Sequence, residues 1–174
     1  KRLVHTSGDP SLAPSVTFSD GAVDAGVAAL RGGCLVATDT HMVRIGVNAA
    51  RVEAYGGAVE CLIADEAIAE ESRRTGRTRA ACAMRAFGAR LDGAVVALGN
   101  APTALREVLA LAADGVARPA LVVGMPVGFV DAAESKEALM ASDLAFVAVK
   151  GTRGGSPLAA ATVNALLRVA EGEA

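Results

Sequence analysis

The chain has 174 residues, 52% of them hydrophobic and 3% aromatic, with 17 basic against 19 acidic side chains and a formal charge of −2. That length and apolar content suffice to bury one core and exclude intrinsic disorder, while near-neutral charge and scarce aromatic rings exclude the footprint of a nucleic-acid binder. No uncharged apolar run reaches the about 18 to 20 residues that a membrane helix needs, so a soluble protein of one domain is expected.

In chain order, residues 2–10 (RLVHTSGDP) run from an apolar stretch into a polar turn, and the first helical pattern covers 20–31. A strand is predicted at 34–38 (CLVAT), a turn at Gly56–Gly57, a second strand at 59–63 (VECLI), and helices at 65–75 and 80–87. Strand 94–98 (AVVAL), helix 102–113, strand 120–123 (ALVV), helix 135–140 and strand 144–149 (LAFVAV) follow. A last helix over 156–168 opens on Ser156–Pro157, a favourable helix start. Most of the strands lack polar alternation, as expected when both faces are covered, and their alternation with helices implies an α/β fold. The expectation is a three-layer Rossmann-like arrangement around a mostly parallel five-stranded sheet. Cys34, Cys61 and Cys82 are odd in number and lie among apolar neighbours, so they read as core residues in a reducing compartment.

Glycine and proline cluster after three of these strands, at 99–102 (GNAP), 124–130 (GMPVGFV) and 151–157 (GTRGGSP). Loops at the carboxyl ends of parallel strands share one crevice in open α/β sheets, so these segments outline one ligand site. GNAPT offers backbone donors, the Asn100 amide and the Thr103 hydroxyl to an anion, or is a turn and helix cap. The run 124–136 ends in an acid, hydroxyl and ammonium trio, Glu134, Ser135 and Lys136, which either meets a ligand or forms a solvated pair and a cap. In KGTRGGS, Lys150 and Arg153 can oppose carboxylates, and Gly154, Gly155 and Ser156 precede a helix, without the pattern of a phosphate loop. Arg77 and Arg79 either bind a carboxylate or solvate a helix start.

His5 and His41 are the two imidazoles, each a candidate for proton transfer or an ordinary surface residue. With Asp9 and Asp39 they show no metal-ligand spacing, and no zinc pattern is present. Neither GxGxxG nor GxSxG occurs, so a dinucleotide fingerprint and a hydrolase nucleophile elbow are both unsupported.

The ordered series VHTSGDP, TFSDGAVDAG, ATDTHMV, TRAACAM, GNAPTAL, ALVVGMPVGFVDAAESK and GTRGGS followed by NALL closely resembles the precorrin-8X methylmutase family of corrin biosynthesis, from His5 through Leu167. The resemblance implies a mostly parallel α/β homodimer, in the cytoplasm, that moves a methyl group from carbon 11 to carbon 12 at ring C of precorrin-8X or cobalt-precorrin-8. Hydrogenobyrinate or cobyrinate would form, with neither cofactor nor metal held by the protein. It further implies that His5, in the VHTSGDP motif, protonates the macrocycle. The substrate is an anionic corrinoid, and its carboxylates direct the expected binding set to Asp39, Thr78, Arg79, Asn100, Thr103, Gly128, Ser135, Lys136, Arg153, Gly154 and Ser156, with Arg77 a further basic anchor. Two departures from the family stand out. The resemblance leads us to expect that the family's usual amino-terminal helical extension is missing before Lys1, and that Asp131 stands where glycine is common. A non-catalytic tetrapyrrole carrier is the competing expectation, and a nucleotide-dependent α/β enzyme a third.

Overall fold

The computed structural model describes residues 1–172. Helix α1 (Arg2–Ser7) and a 3-10 segment (Pro10–Ser15) lead into strand β1 (Val16–Phe18), followed by α2 (Ala22–Arg31) and β2 (Leu35–Thr38). Two short helices, α3 (His41–Gly46) and α4 (Ala49–Ala54), precede β3 (Ala58–Glu60), after which come α5 (Glu66–Thr75) and α6 (Arg79–Phe87). A 3-10 turn (Gly88–Leu91) then leads to β4 (Val95–Leu98), α7 (Pro102–Ala113), β5 (Leu121–Gly124), α8 (Ala132–Met140), β6 (Phe146–Val149) and α9 (Ser156–Ala170).

These strands form one six-stranded sheet in the order β1-β6-β5-β4-β2-β3. All pairings are parallel except that of β1, which runs antiparallel to β6 with Val16 opposite Val149. The α/β, mostly parallel expectation holds, and the strand count is corrected from five to six. The added strand is three residues long, half-buried at Val16 and Thr17 and exposed at Phe18. So short an edge segment carries neither an apolar run nor alternation, and its pairing to β6 defines it.

Side chains alternate across the sheet and sort into two cores. Val36, Val95, Ala97, Leu121, Val123, Val147 and Val149 pack with residues of α2 and α9 on one face. Ala37, Val96, Leu98, Val122, Phe146 and Ala148 pack with α6, α7 and α8 on the other. In α7, Pro102 presets the first turn, and Ala104, Leu105, Val108 and Leu111 repeat at helical spacing on its buried face. Helices α3 and α4 begin where the Thr40 hydroxyl accepts from the Val43 amide and the Asn48 side chain accepts from the Arg51 amide. Each spans six residues, too short for the periodicity that reveals a helix.

Strand order places the reversal of winding between β2 and β4, since the chain moves from β2 out to β3 and returns to β4 on the other side. Loops leaving the carboxyl ends of such neighbours diverge and open a crevice. The glycine-rich segments lie at that end of the sheet.

Candidate active site

Asp39 follows β2 and is fully buried. Its carboxylate accepts hydrogen bonds from the backbone amides of Gly99 at 3.0 Å, Asn100 at 2.8 Å and Ala101 at 2.9 Å. Burial pushes its carboxyl pKa up, opposed by those three donors. The carboxylate thus bridges the loops after β2 and β4 across the switch point. Asp39 belongs to the expected binding set, yet the structure turns it onto the GNAP backbone. The amides expected to meet an external anion are already held by it.

Beside this bridge, Asn100 is exposed and Thr103 half-buried. The Thr103 hydroxyl lies 2.7 Å from that of Thr78, which also accepts from the Ala81 amide and caps α6. Thr78 and Thr103 therefore join the starts of α6 and α7. Arg79, the next residue, is exposed and makes no hydrogen bond or ion pair among the described residues. Arg77 instead lies 3.4 Å from Glu107, whose other oxygen sits 2.7 Å from Arg85, so two exposed arginines share one buried carboxylate.

The loops after β4, β5 and β6 close on one another through backbone contacts. Met125 donates to the Leu98 carbonyl, Gly155 to Met125, and Gly128 to Thr152. A β-carbon at Gly154 would collide with the Met125 and Pro126 carbonyls, and one at Gly99 would meet the Ser156 backbone, so both crossings require glycine. The Ser156 hydroxyl lies 3.2 Å from that of Thr40, completing the junction with β2.

Within the acid, hydroxyl and ammonium trio, the residues point apart. Glu134 is exposed, whereas Ser135 is fully buried and donates to the Ala132 carbonyl of its own helix. Lys136 is fully buried as well, and its Nζ donates to the Arg153 carbonyl at 2.6 Å. Burial pushes its pKa down to about 8. Ser135 and Lys136, both expected to meet substrate, are directed into the protein and brace it.

Arg153 reaches the amino-terminal segment. Its guanidinium donates to the Asp9 carboxylate at 2.5 Å and to the Ser11 hydroxyl at 3.2 Å. Hydrogen bonds from Ser11, and then the Arg153 guanidinium, hold the Asp9 carboxyl below its usual range. The next helix in that segment, α1, bears His5, which is exposed and lines an apolar cavity of about 810 Å³ with Val4, Phe18, Leu166 and Val169. The next two residues, Thr6 and Ser7, line a smaller recess of about 300 Å³ together with Val127, Arg153, Gly154 and Pro157. Helix α1 therefore borders both spaces, but the cavity at His5 is lined by none of the residues expected to bind substrate, and the loops after β5 and β6 border only the second. His41 stands exposed at the first position of α3.

The sequence profile of the family described as Precorrin-8X methylmutase matches residues 1–169. The chain belongs to the precorrin-8X methylmutase family. Among relatives, the cobalt-precorrin-8 methylmutase of Priestia megaterium is 42% identical over 171 residues, covering 98% of this chain and 76% of that protein. The precorrin-8X methylmutase of Pseudomonas aeruginosa is 42% identical over 167 residues, covering 95% and 80%. A crystal structure of the precorrin-8X methyl mutase from Thermus thermophilus superposes with a TM-score of 0.90 at 38% identity, covering 99% of this chain and 85% of that one.

Within this methylmutase chain, Asp131 is the non-glycine residue with a left-handed backbone among the described residues, at φ 58°. Aspartate tolerates that region better than most residues, as the left-handed backbone of Asp131 requires. Its carboxylate takes both Nε and Nη2 of Arg106, at 3.1 and 2.6 Å. Sequence reasoning missed Asp9, Thr40 and Glu107 as site-organising groups. Asp9 and Thr40 carry a local signal, each standing just before a helical turn as a capping residue does. Glu107 lies inside α7, where a carboxylate ordinarily faces water.

Proposed function

We propose that this methylmutase uses His5 as its proton donor and seats the corrinoid across the carboxyl ends of the sheet. The reaction is the migration of a methyl group from carbon 11 to carbon 12 at ring C of precorrin-8X or cobalt-precorrin-8. The bond from carbon 11 to the methyl breaks as the bond to carbon 12 forms, so substrate and product are isomers. A proton delivered to the conjugated ring withdraws electron density as the methyl shifts and leaves the ring again afterwards, returning the imidazole to its protonated form, and positioning supplies the remainder of the rate. An imidazole suits this because its ordinary pKa lies near neutrality.

The observation that carries this reading is the family match across residues 1–169, with His5 on a helix joined through Asp9 to the Arg153 loop. The outer faces of Arg153 and the exposed Arg79 are suited to substrate carboxylates, and Asn100, Thr103, Gly128 and Gly154 shape the surrounding loops. Asp39, Ser135, Lys136 and Ser156 serve from behind them. The domain extends over residues 1–174, of which 173–174 lie outside the described residues. A homodimer in the cytoplasm completes the reading. Phe129 and Val130 in the loop after β5, 94% and 85% exposed, and Ile45 on α3 at 79% support a partner-covered surface.

Incubation with precorrin-8X and with cobalt-precorrin-8 tests the assignment. Conversion to the hydrogenobyrinate or cobyrinate spectrum is expected, and His5→Ala should lower turnover by about 10²- to 10⁴-fold while leaving product binding largely intact. Tight product binding by the wild-type protein without conversion would instead make it a carrier, and full turnover by His5→Ala would remove His5 from the chemistry.

A further inference from the structure

Lys136 has the second-largest fully buried side chain among the described residues, after Phe87. Among the described residues no carboxylate lies within ion-pair distance of it, and its Nζ contacts a neutral acceptor, the Arg153 carbonyl, at 2.6 Å. An ammonium in such a place gains no countercharge for its lost hydration, so ion pairing does not explain it. It cannot act as a nucleophile either, since Nζ is closed off from any ligand.

The residue that accepts this bond is held a second time, from outside. Arg153 donates from its guanidinium to Asp9 and Ser11, more than 140 positions earlier in the chain. Asp9 in turn organises its own neighbourhood. Its side chain accepts from the Ser11 amide at 2.8 Å, and its backbone amide donates to the Ser7 hydroxyl at the end of α1. A continuous path of hydrogen bonds therefore runs from Lys136 on α8, through both ends of Arg153, to Asp9 and the helix that carries His5.

We propose that Lys136 and Asp9 are positioning residues that clamp Arg153 at its carbonyl and its guanidinium, and so fix the His5-bearing helix against the loops at the strand ends. Helix α1 has no buried residue and spans six positions, so it relies on tertiary ties for its place. Leu3 packs on the core beneath α9, Arg153 adds two bonds to Asp9 and Ser11 just after the helix, and Lys136 makes that second attachment rigid. The functional consequence rests on His5 being the donor. A proton donor displaced by about 1 Å loses much of its effect, so a loosened clamp reduces turnover more than affinity.

The test uses the full chain and the variants Asp9→Asn, Lys136→Met and Arg153→Ala, each alone and the first two in the Arg153→Ala background. Asp9→Asn and Lys136→Met should each lower kcat by about tenfold with KM changed less than about threefold. In the Arg153→Ala background neither should lower kcat further, because residues acting through one intermediary are not additive. Amide hydrogen exchange across residues 2–8 should be faster in both single variants, a readout that needs no substrate. Wild-type exchange and kcat in Asp9→Asn, or losses that multiply in the Arg153→Ala background, would overturn the clamp. If His5→Ala retains full turnover while exchange still rises in Asp9→Asn, the donor assignment fails and the clamp stands as architecture. Should Lys136→Met fail to fold, Asp9→Asn and Arg153→Ala decide the question.

Discussion

Lys136→Met removes the ammonium while keeping an unbranched apolar stem of similar length. In the folded protein burial lowers the lysine pKa from 10.5 to about 8. Below pH 8 both folded and unfolded chains carry the proton, and above 10.5 neither does. Between those values the unfolded chain binds more protons, so stability rises with pH across this window. With these two values, linkage gives a gain of about 2 kcal/mol between pH 7 and pH 9.5. The neutral amine still donates to Arg153, so the bond itself survives the titration. Two half-buried thiols oppose the trend, since partial burial raises the pKa of Cys34 and Cys61 and keeps them neutral where an unfolded chain would ionise. Their effect is common to wild type and variant and cancels on subtraction. Urea denaturation followed by circular dichroism at both pH values measures the difference. Wild type should gain about 2 kcal/mol more than Lys136→Met on going to pH 9.5. Parallel responses, differing by less than about 0.5 kcal/mol, would show that the ammonium is not desolvated in the fold.

Two further substitutions probe the loops directly. Asp39→Ala leaves the amides of Gly99, Asn100 and Ala101 without their acceptor, and should lower unfolding stability by about 3 kcal/mol or more, read from the urea midpoint; a loss below about 1 kcal/mol would contradict the bridge. Gly154→Ala drives a β-carbon into two backbone carbonyls that cannot rotate away, so a loss of about 1 to 3 kcal/mol is expected, and an unchanged thermal midpoint would show that the loops are not packed as described.

Much of the site was legible for local reasons. Pro102 sets the start of α7, and the predicted span of 102–113 matches Pro102–Ala113. The glycine-rich segments at 99–102 and 151–157 read as loops at the strand ends, and both occur where those loops meet, although the tight crossings at Gly99 and Gly154 were not foreseen. The direction of a polar side chain was not legible in the same way. Asp39 and Lys136 read as ligand-facing because their types and neighbours permit it. Their actual partners, Gly99 to Ala101 and Arg153, lie about 60 and 17 positions away.

Local chemistry alone located the inner parallel strands, since their apolar runs are buried on both faces, while β3 lies at Ala58–Glu60 rather than the expected 59–63 because this edge strand is only half-buried. It also determined the motif series that identifies the family. Tertiary structure decided the sixth strand, because β1 is too short to be a strand without β6 beside it. It likewise decided that Arg153 is bonded at both ends, its carbonyl to Lys136 and its guanidinium to Asp9 just after α1. Pairings between distant residues arise from how the sheet winds and closes, and no local pattern encodes which carboxylate will meet which amide once the chain has folded back on itself.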